Sequence, residues 1–198
     1  MSCRAGIFLV FGALLTLSSC DKGAQAPDPA APGAARPAGP YFDVRGLLDG
    51  QIRQLTAHHP GAIKEVSLRG SAPETVRVPE VKWADELQIF YQADINKAAL
   101  RGAYRLDSAA EAGGAVRRTY TARPGHPNVS VTRLSVLSAG GQPQELEATL
   151  KQDNTLFSGQ KQLRLTLQNG QLHAYSVRGS QKLVLFDTLR FSTRVRVE

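Results

Sequence analysis

Few residues in this chain can do covalent or acid–base chemistry, and their positions say more than their number. Its two cysteines, Cys3 and Cys20, both lie within the first 20 positions, so residues 21–198 hold no thiol. A disulfide, a thiolate metal site and a cysteine nucleophile are thereby excluded from the rest of the chain. His58 and His59 are adjacent, which on a helix sends their rings about 100° apart, and no acid or further histidine recurs around them at metal-ligand spacing. His126 stands between Gly125 and Pro127 in a loop setting, and His173 alternates with Tyr175 in a strand setting. Neither has a nucleophile beside it in sequence. Asp85 and Glu86 are neighbours that diverge instead of forming a carboxylate dyad. A nucleophile elbow, a phosphate loop and a dinucleotide fingerprint are all missing. These residues predict a protein that is not an enzyme and that uses no metal and no cofactor.

Cys20 is the exception, because its surroundings give its sulfur something to do. Arg4 supplies a positive start, and the thirteen residues from Ala5 to Leu17 form an apolar stretch that as a helix would reach only about 20 Å, too short for a hydrocarbon layer of roughly 30 Å. This is the pattern of an export signal. Leu17, Ser18, Ser19 and Cys20 close it, and they resemble the lipobox of bacterial lipoprotein signal peptides. The resemblance implies that the Cys20 sulfur is joined to diacylglycerol, that residues 1–19 are removed, and that the new amino terminus is acylated. Sulfur suits this role because the thiolate is the nucleophile. An ordinary secretory signal with an incidental cysteine is the alternative. Asp21 resembles the inner-membrane retention signal of some bacteria, but sorting rules differ between lineages, so the choice between inner and outer membrane stays open.

From Asp21 to Pro40 the chain is mostly Ala, Pro and Gly without one large apolar residue. Such a segment cannot build a core and reads as a solvated tether spanning at most about 70 Å, and closer to 25 Å as a flexible coil. Residues 20–40 are thus the lipidated cysteine and its tether, and 41–198 a single folded domain.

The elements of that domain follow from periodicity. Tyr41, Phe42, Val44, Leu47, Leu48, Ile52 and Leu55 recur three and four apart, as on one helix face, and His58 to Gly61 end the helix. Ile63–Arg69 and Thr75–Pro79 suggest a short hairpin. A second helix is expected over Trp83 to about Asn96, with a further helical segment over Ala98–Tyr104 and a loop at Gly113 and Gly114. From there the period changes to two. Val116–Ala122, Val129–Leu137, Glu145–Lys151, Leu163–Gln168, Leu172–Arg178 and Lys182–Val197 read as strands. Asn169-Gly170 is the strongest turn signal, since a type I′ hairpin needs positive φ at both positions; Gly140-Gly141 and Gly179-Ser180 also fit turns. The last strand is long enough to require a bend near Asp187–Arg190. The fold class is α+β, with one or two N-terminal helices and a hairpin ahead of an antiparallel meander of about six strands.

Charge is divided unevenly: residues 117–198 carry 12 Lys and Arg against 5 acids, whereas residues 21–116 carry 11 against 12. Alternation puts Leu163, Leu165 and Leu167 on one face and Arg164 and Thr166 on the other. Arg117, Arg118, Arg164, Arg178, Arg190, Arg194 and Arg196 could form a basic face that attracts phosphates, or simply the solvated side of half-exposed strands. No stacking aromatic motif interleaves with them, and export removes the partner, so nucleic acid is not expected.

The mature chain also carries "YFDVRGLL" with Tyr41, Phe42 and Asp43, then "WADELQIFYQADINKAAL" with Asp94, Ile95, Asn96 and Lys97, then "GAYRL". In these it resembles a group of uncharacterised envelope lipoproteins of Bacteroidota-type bacteria. That resemblance implies a cell-envelope address and brings no activity with it. Asp94, Asn96 and Lys97 are either a functional site or a polar stop to the helix, the latter being common at such junctions. Two functions remain. One is a non-catalytic binding or scaffold protein held to a membrane through Cys20 and meeting an envelope protein partner. The other is a carrier of apolar or lipidic ligands, which would need a cavity of roughly 300 Å³ or more between helices and sheet, lined by residues such as Trp83, Phe90, Phe157, Phe186 and Phe191.

Overall fold

The computed structural model describes residues 39–126 and 129–198; Cys20, the expected signal and nearly all of the expected tether lie outside them. Asp43 opens the first helix, α1 (Val44–His58), by accepting a hydrogen bond from the Gly46 amide at 2.9 Å. His59 closes it in a left-handed conformation with its N–H on the Leu55 carbonyl at 2.9 Å. Val44, Leu48 and Leu55 form its buried face, as the spacing predicts. Gln51 is buried with them because the next layer gives it partners: its Nε2 donates to the Gly170 carbonyl at 2.9 Å and its Oε1 accepts from the Leu172 amide at 2.7 Å.

Nine strands follow in one antiparallel sheet: β1 (Ala62–Leu68), β2 (Glu74–Val78), β3 (Tyr104–Ala110), β4 (Val116–Ala122), β5 (Val131–Ala139), β6 (Gln142–Asp153), β7 (Phe157–Gln168), β8 (Gln171–Leu183) and β9 (Leu189–Val197). Their order is β2-β1-β9-β8-β7-β6-β5-β4-β3. A meander thus runs from β3 to β9, and the last strand slots between β8 and the β1–β2 hairpin, with Ala62 opposite Val197 and Leu68 opposite Phe191.

The expected class holds only at the level of helices on a largely antiparallel sheet; there are nine strands, not six. Two differences raise the count, and a third moves a boundary without adding a strand. The segment expected to be helical over 98–104 has only a single 3₁₀ turn at Ala98–Leu100, after which β3 begins at Tyr104. The hairpin 63–79 belongs to the same sheet as the meander. The run 182–197 is not one bent strand, since β8 ends at Leu183 and the chain reverses through 184–188 before β9.

The second helix is also shorter than its periodicity suggests. α2 covers only Trp83–Leu87 and then tightens into a 3₁₀ turn over Gln88–Ala93. Trp83, Leu87 and Phe90 are buried all the same. Asn169 (φ 52°) and Gly170 (φ 75°) do form the left-handed pair expected at the β7–β8 turn, as do Gly140 and Gly141 between β5 and β6. Gly179, expected in a turn, instead lies within β8 opposite Phe191.

The helices cover one face of the sheet. Against them pack Leu134 and Val136 of β5, Leu146 of β6, Leu163 and Leu165 of β7, Tyr175 of β8 and Val195 of β9. Phe90 meets the Tyr175 ring edge-on at 5.5 Å between centroids, an arrangement worth about 0.5–1.5 kcal/mol beyond burial. The other face of the sheet has no layer upon it among the described residues.

Candidate functional site

Alternation along β7, β8, β9 and β1 sends every second side chain to that uncovered face. Arg164 stands opposite Ser176, Ser176 opposite Arg194, and Arg194 opposite Glu65. Arg196 and Arg178 lie two residues to either side of Arg194 and Ser176 on the same face. Together these line a shallow groove of about 390 Å³ floored by Thr166 and Ala174, and Arg164, Ser176 and Arg178 are shared with a neighbouring depression of about 280 Å³ over β6 and β7.

The arginines differ in what occupies them. Arg164 is paired with Glu147, Nε to Oε1 at 2.5 Å, and lies 3.6 Å from Glu145. Glu145 also accepts from Arg117 at 3.2 Å, and Arg117 pairs in turn with Glu111. Charge therefore alternates in a row across β4, β6 and β7. Its hydrogen bond to Arg117 holds the Glu111 carboxyl below the ordinary carboxylate range, and Glu111 in return raises the Arg117 guanidinium. Arg194 keeps a looser contact with Glu65 at 3.5 Å. Arg178 and Arg196 are exposed and have no carboxylate partner among the described residues. Of the expected basic set, Arg118 falls on the opposite face, standing across from buried Val136. Arg190 lies on the open face near one end of the sheet, opposite Ser180.

A planar guanidinium held above a sheet with hydroxyl neighbours offers paired N–H donors to a carboxylate or phosphate. What this face can do is bind anionic groups by charge and hydrogen bonding.

A second polar cluster lies on the covered face. Glu86 of α2 receives hydrogen bonds from Lys64 of β1 and from the hydroxyl of Tyr175. Burial, reinforced by Glu86, pushes the Tyr175 phenol well above its ordinary value, so it stays protonated and acts as a donor. The cluster fastens α2 to the sheet. Asp85 is exposed beside it.

The histidines remain separate. His58 and His59 are exposed at the end of α1, His126 is exposed in a loop, and His173 is half-buried in β8. Among the described residues no group of histidine, cysteine and acidic side chains is arranged to hold a metal.

The segments 41–43 and 94–97 come together in space. Asn96 donates to the carbonyls of Tyr41 (3.1 Å) and Phe42 (2.9 Å) and accepts from the Tyr41 amide at 3.1 Å. Asp94 is buried and accepts from the Asn96 amide at 3.0 Å, while Ile95 is fully buried. Their arrangement is a clasp that fixes the start of the domain, with Lys97 leading into the next turn.

The five aromatic candidates do not meet around one cavity. Trp83 and Phe90 are interlocked in the core, Phe157 and Phe191 are half-buried on the sheet beyond the helices, and Phe186 is exposed in the β8–β9 loop. Periodicity placed Arg164, Arg178, Arg194 and Arg196 in a possible basic face but did not bring them around one groove, because its residues come from four strands with no local motif. No family model, curated protein or solved structure matches the chain.

Proposed function

We propose that this chain is a lipid-anchored protein of the bacterial cell envelope, held to a membrane through Cys20, whose domain works without catalysis as a binding or scaffold protein. The observation that carries the binding role is the open sheet face with Arg164, Arg178, Arg194 and Arg196 around one groove. The partner that suits it is an envelope protein presenting carboxylate or phosphate groups. A carrier of apolar ligands needs an empty interior, and Trp83 and Phe90 fill theirs, which favours the binding reading over the carrier.

Cross-linking of the lipidated chain followed by mass spectrometry of proteins and lipids tests this. One stoichiometric protein partner is expected. Its capture should fall by about tenfold on Arg178→Glu with Arg196→Glu, and should weaken as salt is raised, because exposed charge pairs are screened. Lipid retained in the domain after removal of the anchor would instead support the carrier. Cys20→Ala should yield a soluble or unprocessed product, and a cleaved variant that stayed on the membrane would refute the anchor.

A further inference from the structure

The end of the sheet at which β8 stops and β9 starts is built unlike the rest of the surface. Loop tips are ordinarily polar, yet here Leu156 is 70% exposed, Leu185 89% and Phe186 69%, with Leu183 and Val184 also exposed. Their backbones are well satisfied. Asn154 Oδ1 accepts from the Leu156 and Phe157 amides at 3.0 and 2.9 Å, the Val184 amide donates to the Leu156 carbonyl at 3.2 Å, and the Phe186 amide donates to the Leu183 carbonyl at 3.1 Å. The two tips are therefore tied into one ordered projection whose unmet requirement is apolar side chains in water. Behind it, Phe157 and Phe191 lie over Gly159 and Gly179, and Leu68 stands opposite Phe191.

Exposed Lys182 and Arg190 flank the apolar run at the points where it leaves β8 and enters β9, and Arg69 is joined to Arg190 by its amide at 2.7 Å. Among the described residues none of these three cations has an ion-pair partner. Asp153, Asp187 and Glu74 are nearby in sequence, so these three acids balance the three cations and the apolar groups dominate. Apolar tips with long cationic side chains at their base match the layering of a phospholipid surface, where Lys and Arg lie among the phosphates.

The chain enters the domain at this same end. Tyr41 packs edge-on against Tyr104 at 5.4 Å, and Tyr104 opens β3 at the end of the sheet where β8 terminates. Twenty residues separate Tyr41 from Cys20, a length that lets the tips reach the bilayer holding the anchor.

We propose that the paired tips at 154–157 and 183–189 insert into the surface of the phospholipid bilayer that holds Cys20, giving the domain a second, non-covalent contact with it and a fixed orientation. This rests on the lipid-anchor reading, and the test separates the two. The lipidated chain carrying Leu185→Cys, labelled with a fluorophore, is placed in vesicles of phosphatidylethanolamine and phosphatidylglycerol, beside a second sample labelled at Asn169→Cys on the opposite end. The label at 185 should be quenched several-fold more by nitroxide on lipid chains than by aqueous iodide, and the label at 169 the reverse. Equal access of iodide to both labels overturns the proposal. So does a label at 185 shielded from both quenchers in a chain that cross-links to itself there, which would assign the tips to a second copy. Vesicle flotation and the mass of the N-terminal peptide read the anchor independently: an unlipidated chain whose label is still quenched from the bilayer loses the anchor and keeps the tips, while a lipidated chain with its label in water does the opposite.

Discussion

Single side chains in this protein mostly serve to hold other groups in place, and Arg117 shows how pH should reveal it. Its guanidinium depresses the Glu111 carboxyl below the ordinary value of 4.5. A carboxyl with a lowered folded-state value contributes stability above its unfolded value and loses that contribution as pH falls through the folded one. The stability difference between the wild-type chain and Arg117→Gln should accordingly be constant near neutrality and shrink as pH drops below 4.5. Urea unfolding of both at several pH values measures it, and a gap that widened in acid would rule the pairing out as the cause. At this scale the sequence was partly legible. Asn96 was visible as a polar residue after a helical run, but its partners at Tyr41 and Phe42 are 55 and 54 residues away, and no local pattern encodes a clasp of that span. Asp43 was part of the same motif, and its capping role follows from side-chain chemistry that favours Asp at helix starts.

Among the elements, β8 explains why one expectation failed. Gly179-Ser180 looks like a turn, yet the missing side chain at 179 is needed within the strand, since a Cβ there would come within 2.4 Å of the Phe191 ring. The aromatic ring covers the glycine, a known device for keeping glycine in a sheet. Gly179→Ala should destabilise the fold by about 1–3 kcal/mol through overpacking, and the cost should drop in a Phe191→Ala background. A double-mutant cycle by chemical denaturation checks this; additive costs would show that ring and glycine are independent. The strands β6 to β8 were recognised through their buried halves, where Leu146, Ala148 and Leu150 or Leu163, Leu165 and Leu167 alternate with polar residues. Their outer halves extend beyond the helices, so no burial imposes alternation there and they were missed. β3 was missed for the same reason, with only Tyr104 buried out of seven residues. α2 was overextended because a 3₁₀ turn can place Phe90 and Ala93 in the core much as an α-helix would, and Ile, Phe and Tyr in that turn have modest helix propensity.

Across the whole molecule, stability should follow position in the sheet. β2 and β3 are edges, whereas β9 is paired on both sides, with β8 and β1. Native-state hydrogen exchange should find amides of β7, β8 and β9 protected to near the global unfolding free energy and those of β2 and β3 opening by smaller fluctuations; equal protection throughout would contradict this. The helix-and-sheet class was legible from the change of period near residue 116, but the joining of the first hairpin to the last strand was not, because strand partners far apart in sequence leave no periodic trace. That joining also sets a schedule. While the chain is being synthesised, Ala62 cannot meet Val197 until residues 189–197 have been made. A long-range contact of this kind is slow to form, so the nine residues of β9 act as a latch that joins the early hairpin to the meander.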